Sequence, residues 1–272
     1  MASCTNAWSA AGKPLGSTET LYAGTSGFSY AAWKGRFYPP TLAGSKMLAY
    51  YAERLNGVEV NGSFYNTPPD TTLLKWAAQT PPGFRFCMKA HRGLTYSAEG
   101  FDRVGLARII TERLAPLGAR LGPIFLQFPP VRQKNIAVLD SLLGALARPT
   151  AVEFRHTSWF DADTYRVLRA HQAALIVTDE EKWPRAPRVE VAPVAYFRLR
   201  RGYTDEALQP WVEEVRSALT GHHDVHVYFK HDPEAPSLAQ RMLSLAAKAP
   251  APRPAPSRPS RAKRPGPAAG RG

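Results

Sequence analysis

Strand-like and helix-like segments alternate eight times along this chain, and this alternation constrains the fold more than any other feature. Short apolar runs rich in Val, Ile, Phe and Tyr predict strands, and most segments between them carry apolar residues at helical spacing. Such alternation builds parallel sheets, because each crossover helix returns the chain to the same end of the sheet. The predicted strands are 21–26, 57–63, 84–90, 123–128, 151–155, 174–178, 194–199 and 224–230.

The length of the chain favours a closed barrel over an open sheet. A (β/α)8 barrel, also called a TIM-like barrel, takes about 250 residues, and the chain has 272. No Gly-x-Gly-x-x-Gly follows a predicted strand, which argues against a dinucleotide-binding fold. We therefore expect an α/β protein with one TIM-like barrel over residues 21–248. A disordered leader over residues 1–20 and a disordered basic tail over residues 249–272 should flank it.

Charge and cysteine content bear on what the tail contacts and on where in the cell the protein is found. The formal net charge is +13; the Pro- and Arg-rich tail holds six Lys or Arg and no acid, which leaves +7 for the rest. The tail is either a solvated segment or a contact for the phosphate backbone of nucleic acid. Two cysteines, no secretory leader and no apolar run of about 20 residues predict a cytoplasmic protein without a membrane span.

Polar side chains recur at alternate positions of several predicted strands, although parallel barrel strands are usually apolar on both faces. Side chains alternate between the faces of a strand, so Glu59 and Asn61 share one face, as do Glu153 and Arg155. We expect these polar faces to point inside, towards the C-terminal mouth where barrel active sites lie. The charged residues expected there are Glu59, Lys89, Glu153, Arg155, Arg198, Arg200 and Lys230.

This expected set holds five cations and two carboxylates, so it carries an excess of positive charge. Buried charge must pair, reach water or meet a ligand, and Arg suits bidentate contacts with phosphate or carboxylate. We interpret the mouth as a site for an anionic small-molecule substrate; a structural salt-bridge network is the open alternative. The catalytic candidates are Glu59, Glu153 and Lys89, and the substrate-binding candidates are Asn61, Gln127, Arg155, Arg198, Lys230, Tyr30 and Trp159.

Motifs for metal or covalent chemistry are weak in this sequence. His91, His156 and His231 fall at predicted strand ends, but no tight ligand motif joins them and the nearby cations disfavour a divalent ion. No Gly-x-Ser-x-Gly marks a nucleophile. We predict no metal and no cofactor, and leave open whether the chain is an enzyme; isomerase, lyase and hydrolase chemistry all fit. A nucleic-acid binding module or nuclease-like protein is the alternative function.

Several of these strand-end motifs occur together in one known family. The chain resembles the "domain of unknown function 72" (YecE-like) family, and that resemblance implies a TIM-barrel-like fold without an established reaction. The sequence departs from the family pattern at Phe28, where Trp is usual, and at residues 229–232 and 235–237. The matching stretches are 24–30 with Trp33, 37–39, 58–61, 63–65, 80–86 with Lys89, 121–123, 127–130, 152–156 with Ser158 and Trp159, and 196–199.

Overall fold

Eight parallel strands form one sheet in the computed structural model of the protein, which describes residues 20–221 and 224–247. Their order around the sheet is β3-β2-β1-β8-β7-β6-β5-β4, so every strand lies beside its neighbours in sequence and β1 pairs with β8. Each predicted strand is present, with ends shifted by no more than a few residues. The strands are β1 (Thr20–Ser26), β2 (Gly57–Val60), β3 (Arg85–Met88), β4 (Ile124–Phe128), β5 (Thr150–Phe154), β6 (Ala174–Asp179), β7 (Val194–Leu199) and β8 (Asp224–Phe229).

The sheet closes between β3 and β4 through two isolated backbone bridges rather than a continuous ladder. The amide of Ala90 donates to the carbonyl of Phe125 at 2.8 Å, and the amide of Gly122 donates to the carbonyl of Phe86 at 2.9 Å. The result is a nearly closed eight-stranded barrel with helices between the strands. This confirms the predicted TIM-like fold class.

Helices cover the outside of the barrel, and several of the described helices begin at a side-chain cap. Asp102, Asn135 and Asp161 each accept a hydrogen bond from the backbone amide three residues further on. The α-helices are α1 (Met47–Ala52), α2 (Asp70–Ala78), α3 (Gly93–Tyr96), α4 (Arg103–Arg113), α5 (Ile136–Leu146), α6 (Ala162–Ala170), α7 (Asp205–Gly221) and α8 (Ala235–Ala247). Short 3-10 helices span Ala31–Trp33, Gly44–Lys46, Gly62–Phe64, Ala115–Arg120 and Thr157–Trp159.

Two separate hydrophobic clusters confirm that the strand faces alternate as expected. Outward side chains such as Val58, Phe86 and Val152 pack with the helices in the larger cluster. Inward side chains form a smaller cluster inside the barrel, which includes Phe125 and Tyr196. Polar positions of the same strands therefore also face the barrel interior, where they must find partners.

The predicted leader and tail, with their charges, lie outside the described residues, except for Thr20, which begins β1. Their disorder and the domain boundaries stay predictions. Within residues 20–221 and 224–247, no helix combines the length and the apolar character that crossing a bilayer requires. The cytoplasmic localisation also stays a prediction.

The hydroxyl of Tyr51, a buried residue of α1, links β1 to β2. It accepts a hydrogen bond from the Thr25 amide at 2.9 Å and donates to the Gly57 carbonyl at 3.0 Å. A Cβ at Gly24 would lie 1.8 Å from that carbonyl and 2.7 Å from the hydroxyl oxygen, so only glycine leaves room for this contact. Helix α1 is thereby fixed to strands β1 and β2.

We predict that Tyr51→Phe destabilises the barrel by about 1–3 kcal/mol, because it leaves a buried amide and a buried carbonyl without their partner. Urea unfolding at neutral pH measures the loss. Tyr50→Phe is the matched control, since Tyr50 is partly buried on the same helix and its ring stacks on the Arg54 guanidinium, a contact that Phe retains. Equal stability of the two variants would contradict the role given to the Tyr51 hydroxyl.

Candidate active site

Arg198 of β7 bridges two carboxylates inside the barrel. Its Nε and Nη2 donate to the two oxygens of Glu59 at 2.8 Å each, and its Nη1 donates to Oε2 of Glu153. All three side chains are buried, with exposed fractions of 2%, 0% and 3%. One guanidinium thus ties β2, β5 and β7 together across the barrel interior.

Further hydrogen bonds satisfy the remaining acceptor positions of both carboxylates. Asn61 Nδ2 donates to Glu59 at 2.9 Å, and Arg155 Nε donates to Glu153 at 2.6 Å. Each carboxylate is therefore surrounded by donors, as a buried charge requires. The other donors are Ser26 and Tyr196 to Glu59, and Gln127 and Thr178 to Glu153.

Both carboxylates are ionised over the whole physiological range. Burial alone would raise the pKa of Glu59 and of Glu153, but the charge and hydrogen bonds of Arg198 outweigh burial and lower each pKa to about 2. A group with such a pKa is a poor proton donor or acceptor near neutral pH. The acid–base role of Glu59 and Glu153 stays a prediction, and such a role would require a change in these surroundings.

Arg200 lies at the end of β7, one alternation beyond Arg198, and it lacks a carboxylate partner among the described residues. Its Nη1 donates to the neutral hydroxyl of Ser26 at 2.9 Å. Its Nε is buried, and no described group accepts a hydrogen bond from it. Burial, followed by repulsion from Arg198, lowers the pKa of Arg200. The surroundings of Arg200 therefore disfavour its charged form.

Lys89 follows β3 and points its amine at the same cluster. Nζ donates to Oε1 of Gln127 at 2.9 Å and lies 4.2 Å from the ring centre of Phe64. Burial, followed by repulsion from Arg198, lowers the pKa of this amine to about 8. Lys89 is therefore a group of the mouth that can change its protonation state near neutral pH.

A cleft beside Glu153 opens towards solvent between β5 and the segment that follows β6. The Arg155 guanidinium lies 4.9 Å from the ring centre of Trp183, and Thr178 and Glu180 also line this cleft. Sequence reasoning missed Trp183 and Glu180. Their position in the loop after β6 was the available signal, because loops at this end of a barrel build its active site.

Two of the candidate residues from the sequence, Lys230 and Trp159, lie apart from the charged cluster of Arg198, Glu59 and Glu153. The Lys230 side chain is 40% exposed, with Nζ 3.8 Å from Asp232. The Trp159 side chain is buried outside the strands, where its ring stacks on Phe154 at 4.5 Å and its indole N–H donates to the Arg132 carbonyl. Its ring is therefore not open to a ligand.

Tyr30 lies at the mouth, as the sequence suggested. Its hydroxyl donates to the Ser26 carbonyl at 2.7 Å, and its ring stacks on His231 at 5.1 Å. Burial raises the pKa of Tyr30, and the charge of Arg200 opposes that rise. Among the residues that the structure describes, no three His, Cys, Asp or Glu side chains form a metal-binding group.

The sequence of the chain matches the model of a known protein family. The sequence model of DUF72, a protein family of unknown function, matches residues 22–262. The chain belongs to the DUF72 family. This confirms the resemblance drawn from the strand-end motifs.

Two curated relatives align with part of this DUF72 protein. UPF0759 protein YunF of Bacillus subtilis (strain 168) is 33% identical over 140 residues, and UPF0759 protein YecE of Escherichia coli (strain K12) is 30% identical over 145. These alignments cover 47% and 52% of this chain and 49% and 50% of the relatives. The chain thus spans about half the length of the curated relatives it matches.

Solved structures of the family share the fold. A DUF72 family protein from Thermotoga maritima MSB8 has a TM-score of 0.75 at 29% identity, covering 84% of this chain and 99% of its own. Another, from Enterococcus faecalis V583, has a TM-score of 0.69 at 20% identity, covering 86% of this chain and 100% of its own. The second comparison bears on the fold alone.

We predict that this DUF72 protein loses stability in acid because of Glu59 and Glu153. Each has a folded pKa of about 2, below the value of about 4.3 for a Glu in an unfolded chain. Their contribution is complete above that unfolded value and is lost as the pH falls towards 2. Urea unfolding between pH 7 and pH 3 should show the decline.

Arg198→Met tests the source of that dependence. It should cost roughly 3–5 kcal/mol at pH 7, because it leaves two buried carboxylates without their cation. Its stability should then depend less on acid, since those carboxylates no longer favour the ionised form. Arg166→Met is the control, because the side chain of Arg166 is 71% exposed on α6. Unchanged stability of Arg198→Met at pH 7 would refute the bridging role.

Proposed function

We propose that this DUF72 protein is an enzyme that binds a small anionic substrate at the C-terminal mouth of its barrel. Arg200 is the observation that carries the proposal. It is a partly buried cation whose Nε has no acceptor among the described residues and whose hydrogen-bonded partner is a neutral hydroxyl. A carboxylate or phosphate group of a ligand would supply both the charge and the acceptors that Arg200 lacks.

The charge balance of the mouth supports an anion rather than a cation. Four cations (Lys89, Arg155, Arg198 and Arg200) face the two buried carboxylates of Glu59 and Glu153. Glu180 at the rim adds a third carboxylate and leaves an excess of one positive charge. Both buried carboxylates are occupied by donors from the protein, so they compete little with a ligand for Arg200.

The proposal divides the residues of the mouth into a rigid base and a ligand-facing layer. Arg198, Glu59 and Glu153 form the base, because their hydrogen-bonding groups are directed at one another. Arg200 and Arg155 hold the anion, with Tyr30 and Trp183 beside them as flat walls. Lys89 supplies a titratable amine, and Asn61 and Gln127 orient the side chains next to them.

A nucleic-acid function is the other proposal carried from the sequence. It depends mainly on the six cations of the tail, which lies outside the described residues. Arg200 is partly buried directly after β7, where a small anion would reach it more readily than a polymer backbone. We therefore favour the small anionic substrate and treat oligonucleotide binding as an outcome of the test.

We predict that inorganic phosphate and pyruvate raise the melting temperature of the full chain, and that Arg200→Met abolishes the shift. A ligand at about 100 times its Kd stabilises by about 2.7 kcal/mol. Without ligand, Arg200→Met should be at least as stable as the parent, because it removes a buried cation that has no counter-ion. Thermal unfolding with and without each anion measures both effects, and Arg166→Met should behave as the parent does.

Two results would count against this function. A ligand-free Arg200→Met that melts well below the parent would mean that Arg200 is a structural residue. A chain that ignores both small anions, yet binds a short oligonucleotide with an affinity that falls steeply with salt, would favour the nucleic-acid module.

A further inference from the structure

The backbone around Lys89 is held firmly at the mouth. Its amide donates to the Val60 carbonyl at 2.9 Å, and its own carbonyl accepts a hydrogen bond from the Ser63 hydroxyl at 2.7 Å. An isolated bridge to Phe125 joins the same residue to β4. The Cα of Lys89 is therefore fixed on both sides, and a group fixed in this way can hold one orientation towards a substrate.

The amine of Lys89 has no anionic partner among the described residues. Its acceptor is the amide oxygen of Gln127, a neutral group. The orientation of that amide follows from its other contact, because Gln127 Nε2 donates to Glu153, which is ionised and can only accept. The oxygen of Gln127 must therefore face Lys89 and hold Nζ in place.

A second cation lies close to this amine. Lys89 Nζ is 5.4 Å and Arg198 Cζ is 4.4 Å from the centre of the same Phe125 ring. Arg198 forms ion pairs with two carboxylates, whereas Lys89 forms none with the described residues. Burial, followed by repulsion from Arg198, lowers the pKa of the Lys89 amine to about 8, against the weaker attraction of Glu59 and Glu153. Desolvation and a neighbouring cation are the two means by which proteins activate a nucleophilic lysine.

We propose that Lys89 is a nucleophilic amine that forms a Schiff base with the carbonyl carbon of an anionic oxo compound. The inference deepens the proposed function and rests on it, because Arg200 and Arg155 would hold the anionic group while Lys89 reaches the carbonyl. The substrate class is then an oxo acid or a phosphorylated ketone or aldehyde. The chemistry shared by these compounds is a carbonyl close to an anion.

The proposed step balances without an oxidant or reductant. The lone pair of the free Lys89 amine bonds to the carbonyl carbon, and the π electron pair of the C=O bond moves to oxygen to give a carbinolamine. The nitrogen then forms its second bond to carbon as the C–O bond breaks and the protonated oxygen leaves as water. Overall, the ammonium form of Lys89 and the carbonyl yield a protonated imine and one water, so two protons first bound to nitrogen leave with the oxygen. The imine then withdraws electrons from a bond on the adjacent carbon, which directs the site towards C–C bond cleavage or formation or proton abstraction there.

Reductive trapping tests the proposal on the full chain. The protein is incubated with pyruvate or dihydroxyacetone phosphate at pH 7.5, reduced with borohydride, and digested for peptide mass spectrometry. We expect the reduced adduct on Lys89 at least about tenfold more often than on Lys75, an exposed helix lysine, because each unit of pKa changes the fraction of free amine tenfold. Labelling of Lys89 should rise with a midpoint near pH 8.

Two variants and a neutral probe separate this inference from the proposed function. Lys89→Arg keeps the charge and should give no adduct at this position. Arg200→Met should lose the preference for the two anionic probes, while limiting formaldehyde and cyanoborohydride should still methylate its Lys89 ahead of Lys75. Formaldehyde needs no anion site, so it measures the nucleophilicity of the amine alone.

The outcomes are distinguishable. Equal methylation of Lys89 and Lys75 would overturn the inference, even if phosphate still raised the melting temperature and the proposed function stood. Preferential methylation of Lys89 without trapping of either anionic probe would overturn the assigned substrate class. If neither phosphate nor pyruvate changed the melting temperature of the parent protein, the proposed function itself would be overturned.

Discussion

The contact of Arg198 with Glu59 and Glu153 determines the character of the barrel interior. Three charges are buried on three different strands, and each would be costly if it stood alone. They are tolerated because one guanidinium donates to both carboxylates and neutral donors fill the remaining positions. The cluster therefore acts as one unit, so that losing its central cation affects β2, β5 and β7 together.

The same cluster explains the two unusual cations beside it. Arg198 is paired with two carboxylates, yet its positive charge still disfavours the charged forms of Lys89 and Arg200 and lowers the pKa of both. Neither of the two has a described carboxylate partner close enough to offset that cost. Because the interior accepts cations that destabilise it, these two residues fit the proposed role in ligand contact better than a role in holding the fold.

The sequence was sufficient for the fold and for the inward direction of several charged side chains, but not for their partners. Alternation along β2, β5 and β7 predicts that Glu59, Glu153 and Arg198 point inward, and they do. Which of them pair depends on the stagger of strands around the barrel, which no local pattern contains. For this reason Arg198 was expected to hold a ligand, whereas the structure directs three of its N–H groups at carboxylates.

Trp159 and Lys230 show a second limit of prediction from the sequence. Both closely follow a strand, yet neither joins the inward-facing charged residues. Beyond the last paired residue, the ladder no longer fixes the direction of a side chain, so the loop can turn it away from the alternation of the strand. Trp159 turns outward onto Phe154, while Trp183, from a loop with no regular pattern, comes to lie against Arg155. The charged residues on or directly after the strands can thus be predicted from alternation, whereas the loops determine which side chains line the entrance to the mouth.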